Sequence, residues 1–388
     1  MRKAVTLATL PNELLDAICV RLNRSSRCAL ALTCKATKPS ATAALYRTYT
    51  NRSNPSDAPF YLFLRTLCEN SGLAGLVKEV DIRGWRSELE VATGSAWRPM
   101  VTPSEEKDEH PIRNGPRFTS TDRSSTISAN ATSATSTDMF HLFLDTAVKI
   151  GLVATPASTH LVSALKRNAQ MGTTLKEDAD LIRQLKHGVE DAHFILIVAQ
   201  LHHLEELLID GLTPYPILDW YHFLSRSSTA LQSMKALNLW GSCVVGDNKV
   251  VRSTLQILDI LPNLELLLLR GMNVQGHRHG AEDTLPSKKL RIVSFRGCAV
   301  RHRLLKKIAN GQRIKAFLYI PGHSQLQVNK GATFSEKQVL GYLESSKHSL
   351  KSLIMFPMTD YGQTCRYPQP LSSHELYANI IRCAPQVR

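Results

Sequence analysis

The 388-residue chain has no closely spaced cysteine pair. Its eight cysteines (Cys19, Cys28, Cys34, Cys68, Cys243, Cys298, Cys365 and Cys383) are scattered, and the tightest spacing is the six residues from Cys28 to Cys34. Without a CxxC, no structural zinc site is expected and no metal ligand is assigned. Several cysteines sit among apolar neighbours, as in Ala17-Ile18-Cys19-Val20. That is the setting of buried, reduced thiols in a cytoplasmic or nuclear protein. Long apolar runs are missing too. The longest, Phe194 to Ala199, is far too short to cross a bilayer, so no membrane partner is expected. Arg2 and Lys3 precede a mildly apolar stretch, but Glu13 and Asp16 interrupt it, unlike a signal peptide.

Catalytic patterns are also missing. The chain has no GxSxG, no Walker loop and no GxGxxG. His202-His203-Leu204-Glu205-Glu206 lacks the HExxH order. Cys298 and His302 are four apart, but no third group is evident to orient a base. The expectation is a non-catalytic protein without a cofactor.

What is present in excess is positive charge. The net charge is +14, with 43% hydrophobic and 21% charged residues. The composition is that of a folded protein, and its charge suits acidic or phosphorylated partners, nucleic acid or an anionic surface. Residues 288–315 hold ten Lys or Arg (288, 289, 291, 296, 301, 303, 306, 307, 313, 315) and no Asp or Glu. No zinc finger, RNP-type aromatic motif or helix-turn-helix accompanies them. Much of the cluster falls on the helix after a strand, on the convex side, and reads as a solvated face. Nucleic acid is not the expected partner.

One pattern recurs: apolar, two others, apolar, one other, apolar, one other, Gly. It occurs at Val77-Val80-Ile82-Gly84, Leu204-Leu207-Ile209-Gly211, Met234-Leu237-Leu239-Gly241, Leu264-Leu267-Leu269-Gly271 and Leu290-Val293-Phe295-Gly297. Gly211, Gly241 and Gly271 are spaced by 30 residues, and Gly297 follows 26 later. Such a period predicts a solenoid whose turns bury their apolar faces against one another.

The first 50 residues read as three short helices. Leu10, Leu14, Leu15, Ile18 and Leu22 have helical spacing after Pro11; Cys28 to Cys34 and Ala41 to Tyr49 follow. Residues 51–75 read as a linker and connecting helix, with the helix at Phe60 to Cys68. Residues 76–388 read as the irregular solenoid. Within it, the Ser/Thr-rich segment at about 100–137 reads as a disordered insertion, and irregular repeats are expected between Gly84 and Gly211. Helices are expected at 139–152, 174–201, 217–225, 252–261, 301–310 and 336–345, with a last degenerate strand at 350–356. No capping pattern follows Ala384-Pro385, as expected of a fragment.

The first module resembles an F-box. The likeness rests on Leu10-Pro11-x-Glu13-Leu14-Leu15-x-x-Ile18-x-x-x-Leu22, then Leu30-Ala31-Leu32-Thr33-Cys34-Lys35, then Leu45-Tyr46-Arg47. The polar Ser25-Ser26-Arg27 departs from that family's bulky residue before the second helix. The repeats resemble the leucine-rich repeats that follow F-boxes. The usual Asn or Cys after the strand appears only as Cys298, replaced elsewhere by Trp85, Leu212, Ser242 and Met272. The resemblance implies an α/β chain: a three-helix F-box, then an irregular leucine-rich-repeat solenoid.

It also implies a function: the substrate receptor of an SCF-type cullin–RING ubiquitin ligase, cytoplasmic or nuclear. Leu10, Pro11, Leu14, Leu15, Ile18, Leu22, Leu30, Leu32 and Cys34 would lie at or beneath the Skp-type adaptor. Asn238, Trp240, Leu268, Arg270, Ser294 and Arg296, facing out on the concave side, would meet an acidic or phosphorylated protein substrate. The alternative is a leucine-rich-repeat scaffold acting outside any ligase.

Overall fold

The computed structural model describes residues 7–52, 60–83, 132–153, 173–212, 220–227, 231–241, 256–274, 285–300, 302–321 and 336–355. The expected insertion, as far as residue 131, lies outside them, as does Gly84. The described chain is mixed α/β. Helices α1 (Asn12–Arg21), α2 (Arg24–Thr33) and α3 (Lys38–Tyr46) come first. The strands are β1 (Thr48–Arg52), β2 (Glu79–Arg83), β3 (Glu206–Leu212), β4 (Ala236–Gly241), β5 (Leu266–Arg270), β6 (Asn273–Val274), β7 (Ile292–Val300), β8 (Ala316–Pro321) and β9 (Ser352–Met355). They form a parallel sheet in chain order β1-β2-β3-β4-β5-β7-β8-β9, with β6 paired to β7.

Parallel neighbours need a crossover. It is supplied by α4 (Phe60–Glu69) and α5 (Ser71–Ala74), then α6 (Thr132–Lys149), α7 (Thr173–His187) and α8 (Glu190–Gln200), then α9 (Trp220–Arg226). A 3₁₀ turn (Ile257–Ile260), α10 (His302–Ala309) and α11 (Glu336–Tyr342) follow. Alternation along the strands decides what is buried. Leu207, Leu237, Leu267, Val293 and Phe317 are in register and all lie in the core, as do Ile209, Leu239, Leu269, Phe295 and Tyr319 one step on. Helix α8 is apolar nearly all round and buried from Asp191 to Gln200, packed against α4, α7 and α9.

The peptide before each strand is held the same way. The Lys78 carbonyl accepts from Glu205 N (2.8 Å) and Glu206 N (3.0 Å), and the Glu205 carbonyl accepts from Lys235 N (2.8 Å) and Ala236 N (3.0 Å). The pattern continues to Lys315, whose carbonyl accepts from Lys351 N (2.7 Å) and Ser352 N (3.0 Å). At the other strand end the recurring Gly has two uses. Gly271 and Gly297 have φ of 61° and 63°, which L side chains rarely adopt. A Cβ on Gly241 would stand 2.9 Å from the Gly271 carbonyl oxygen.

Several expectations are corrected. The third helix ends at Tyr46, and Thr48–Arg52 is a strand; Tyr49 is buried and stacks on Phe63 with centroids 3.9 Å apart. Its Thr-Tyr-Thr composition favours the pleated state over a helix. Between β2 and β3 the described residues form helices and turns, and those two strands pair directly; residues 84–131 and 154–172 of the stretch expected to hold irregular repeats lie outside the described residues. Helix α6 starts at Thr132, earlier than expected. The helix expected at 174–201 is two helices, parted at Gly188, whose φ is 72°. Strand β8 lies outside the recurring pattern: Ile314, Phe317 and Tyr319 keep the repeat spacing, but Pro321 stands at the Gly position. The strand expected at 350–356 is β9.

Candidate functional site

Two surfaces come from the sequence reading. The first is on the three N-terminal helices. Helix α1 turns by about 100° per residue, so Leu14, Leu15, Ile18 and Cys19 share one apolar arc, with Leu10 and Pro11 flanking its start and Leu22 its end. Only part of it is covered. Leu15 (1% exposed) and Cys19 are buried, and Cys19 packs with Ala41 and Ala44 on α3 and with Leu30 and Ala31 on α2. This small core is separate from that of the sheet. The rest is open: on the arc Leu14 is 52% exposed and Ile18 half-buried, and beside it Pro11 is exposed and Leu10 and Leu22 are half-buried. On α2, Leu32 is 87% exposed. Cys34 is half-buried with its thiol 3.3 Å from Thr37 Oγ1, a bond that draws its pKa below the ordinary thiol value.

Sequence reasoning missed three residues here. Leu7 and Val20 are exposed apolar side chains. Arg27, read as part of a polar interruption, is the clamp of the module. It donates from Nε to the Cys19 carbonyl (2.9 Å), from Nη1 to the Ala44 carbonyl (3.0 Å) and from Nη2 to the Val20 carbonyl (2.7 Å). It thus ties α2 to the end of α1 and to α3. The Asn23 side chain caps α2 by accepting from Ser26 N at 2.8 Å. A sequence signal existed only for Asn23.

The second surface is the sheet face turned away from the core. Trp240, Arg270 and Arg296 are register partners on β4, β5 and β7. Arg270 lies over the Trp240 ring, its Cζ 4.9 Å from the centroid. Trp240 Nε1 donates to Asn238 Oδ1. Arg296 is half-buried and its Nε has no acceptor. Burial, and secondarily the nearby Arg270, push its pKa down. The middle row differs from expectation. Asn238, Leu268 and Ser294 face outward but are buried, Asn238 to 1% exposure with Nδ2 lacking an acceptor. Rows only about 4.8 Å apart shield one another, and Leu268 packs with Ile292 and Ala316 in a second apolar cluster. What remains partly exposed is the row of Trp240, Arg270 and Arg296, a stacked cation beside a second guanidinium. Such a row can take an anionic oxygen group.

The basic cluster is also placed differently. Of its described members, Arg303, Lys306 and Lys307 are on α10, and Lys307 pairs with Asp259 at 2.5 Å. Lys288, Lys289, Arg291, Arg313 and Lys315 stand instead in the turns that enter β7 and β8.

Among the described residues no three His, Cys, Asp or Glu side chains come together to hold a metal ion, and no helix is long and apolar enough to cross a membrane. No protein-family model matches the chain, and no curated protein is significantly similar to it.

Proposed function

We propose that this chain is a substrate receptor of an SCF-type cullin–RING ubiquitin ligase, with the three-helix module seated on a Skp-type adaptor. The observation that carries the reading is the uncovered half of the α1 apolar arc, with Leu14 and Leu32 held out to solvent by a module that has its own core. Covering Leu32 alone would contribute about 1.5–3 kcal/mol. The chain-ordered parallel sheet, with its repeated strand entry, supports reading the remainder as a divergent leucine-rich-repeat solenoid. Trp240, Arg270 and Arg296 are its substrate contacts, and an acidic or phosphorylated protein segment fits them. The receptor acts by proximity and uses no catalytic residue of its own.

The test is capture on purified Skp-type adaptor by the full chain and by Leu14→Asp/Leu32→Asp. Both positions are exposed, whereas Leu15→Asp would bury a charge and unfold the module. The double variant should keep the wild-type unfolding curve and lose capture. Failure of the wild type to bind would sink the reading. Substrate lifetimes that ignore the cullin, with adaptor binding intact, would favour a scaffold outside the ligase.

A further inference from the structure

The strand-entry position forms a ladder of charge along one rim of the sheet. Register places Lys78, Glu205, Lys235, Glu265, Arg291, Lys315 and Lys351 on successive rungs, each immediately before its strand or at its first bond. Over β2–β4 the ladder is balanced. Glu205 sits between Lys78 (3.0 Å) and Lys235 (2.8 Å). Over β7–β9 it is not. Arg291, one rung from Glu265, and Lys315 and Lys351 beyond it are all exposed, stack at the strand spacing of about 4.8 Å, and make no ion pair among the described residues. Like charges opposed across strands are unfavourable, so this row gains from an external anion.

The turns behind these rungs add more cations. Residues 285–291, 310–315 and 344–351 contain seven Lys or Arg (288, 289, 291, 313, 315, 347, 351) and one carboxylate, Glu344, which pairs with Lys347 at 3.1 Å. The turns are fixed to one another by the buried side chains of Gln312 and Ser346 and the half-buried Ser349. Gln312 Nε2 donates to the Ser287 carbonyl (2.6 Å), Ser346 Oγ donates to the Gln312 carbonyl (2.8 Å) and accepts from Ile314 N (3.1 Å), and Ser349 Oγ donates to the Ile314 carbonyl (3.0 Å). The cations are therefore presented by a rigid rim rather than by loose loops.

We propose that this rim binds the phosphate backbone of duplex nucleic acid without reading its sequence. The three turns contain no Phe, Tyr or Trp, and a single His348, on which an unpaired base would stack, which disfavours single strands. They also lack the aromatic anchors of protein interfaces, in which lysine is depleted. Closely spaced cations alone suffice for phosphate contacts.

The test is fluorescence anisotropy of a labelled mixed-sequence duplex with the full chain across a salt series. The variants are R291Q/K315Q/K351Q and, with the same charge change elsewhere, K149Q/R303Q/K306Q. The wild type should bind with affinity falling linearly in log–log salt. The rim variant should bind at least tenfold more weakly at low salt, its slope smaller by about 2.7 for three lost phosphate contacts. The control should stay near wild type. If the triple variant does not fold, the single substitutions decide, each lowering the slope by about 0.9. Absent duplex binding, equal loss in the control, or preference for a poly-glutamate peptide or for phosphatidylserine vesicles at matched charge would overturn the proposal. The rim lies outside the helical module, so this test and adaptor capture fail independently.

Discussion

Acidification should unfold this protein in part through one imidazole. His193 lies on α8, 1% exposed, with neither ring nitrogen hydrogen-bonded and the Phe143 ring edge-on at 5.6 Å. Burial lowers its pKa from 6.5 to about 4. The neutral ring is favoured in the folded state, so its contribution is fully present above pH 6.5 and is lost as pH falls toward 4. At pH 4.5 the protonation of the unfolded chain outweighs that of the folded one by about 2–3 kcal/mol. Replacing His193 with Leu removes both unpaired nitrogens and should be near neutral at pH 7. Urea unfolding at pH 7 and pH 4.5 supplies the assay. The wild type should lose about 2–3 kcal/mol more than His193→Leu between the two. Other titrating groups are common to both proteins and cancel in the difference. An equal pH dependence in the two proteins would refute the reasoning, because the imidazole would then already be hydrated or paired.

Arg27→Ala should cost about 2–4 kcal/mol of local stability, since it strips three carbonyls of a charged donor; hydrogen exchange of α1–α3 amides should rise while the sheet stays protected. Arg27→Lys should recover only part, because a point ammonium cannot span the three acceptors. Gly241→Ala should destabilise by about 1–3 kcal/mol in urea melts, as its Cβ would meet the Gly271 carbonyl at 2.9 Å. The same change at Gly72, where a Cβ would meet nothing within 4 Å, should do far less.

Helix and strand placement was largely legible where apolar spacing was clean. Leu207, Leu237, Leu267 and Val293 mark their strands by alternation and a following Gly. Strand β8 escaped because Pro321 ends it as effectively as Gly, having no N–H for the ladder. Strand β1 escaped because its five residues follow a helix without a break signal. Of the module, the apolar arc on α1 was readable, but not which half of it α3 would cover; that depends on a partner helix brought in by Arg27, whose acceptors are backbone carbonyls invisible in a pattern of side chains.

The sequence by itself determined the alternation of strands and crossovers, the interior rows of the sheet, and the apolar stripe on α1, because periods of about 2 and 3.6 residues impose those faces locally. Tertiary structure alone decided register and neighbours. It set Arg270 against Trp240 and Arg296, closed Asn238 and Ser294 from solvent, and gathered cations from three distant turns onto one rim. Those juxtapositions arise from stacking strands one rung apart, a relation between segments far apart in the chain that no local period encodes.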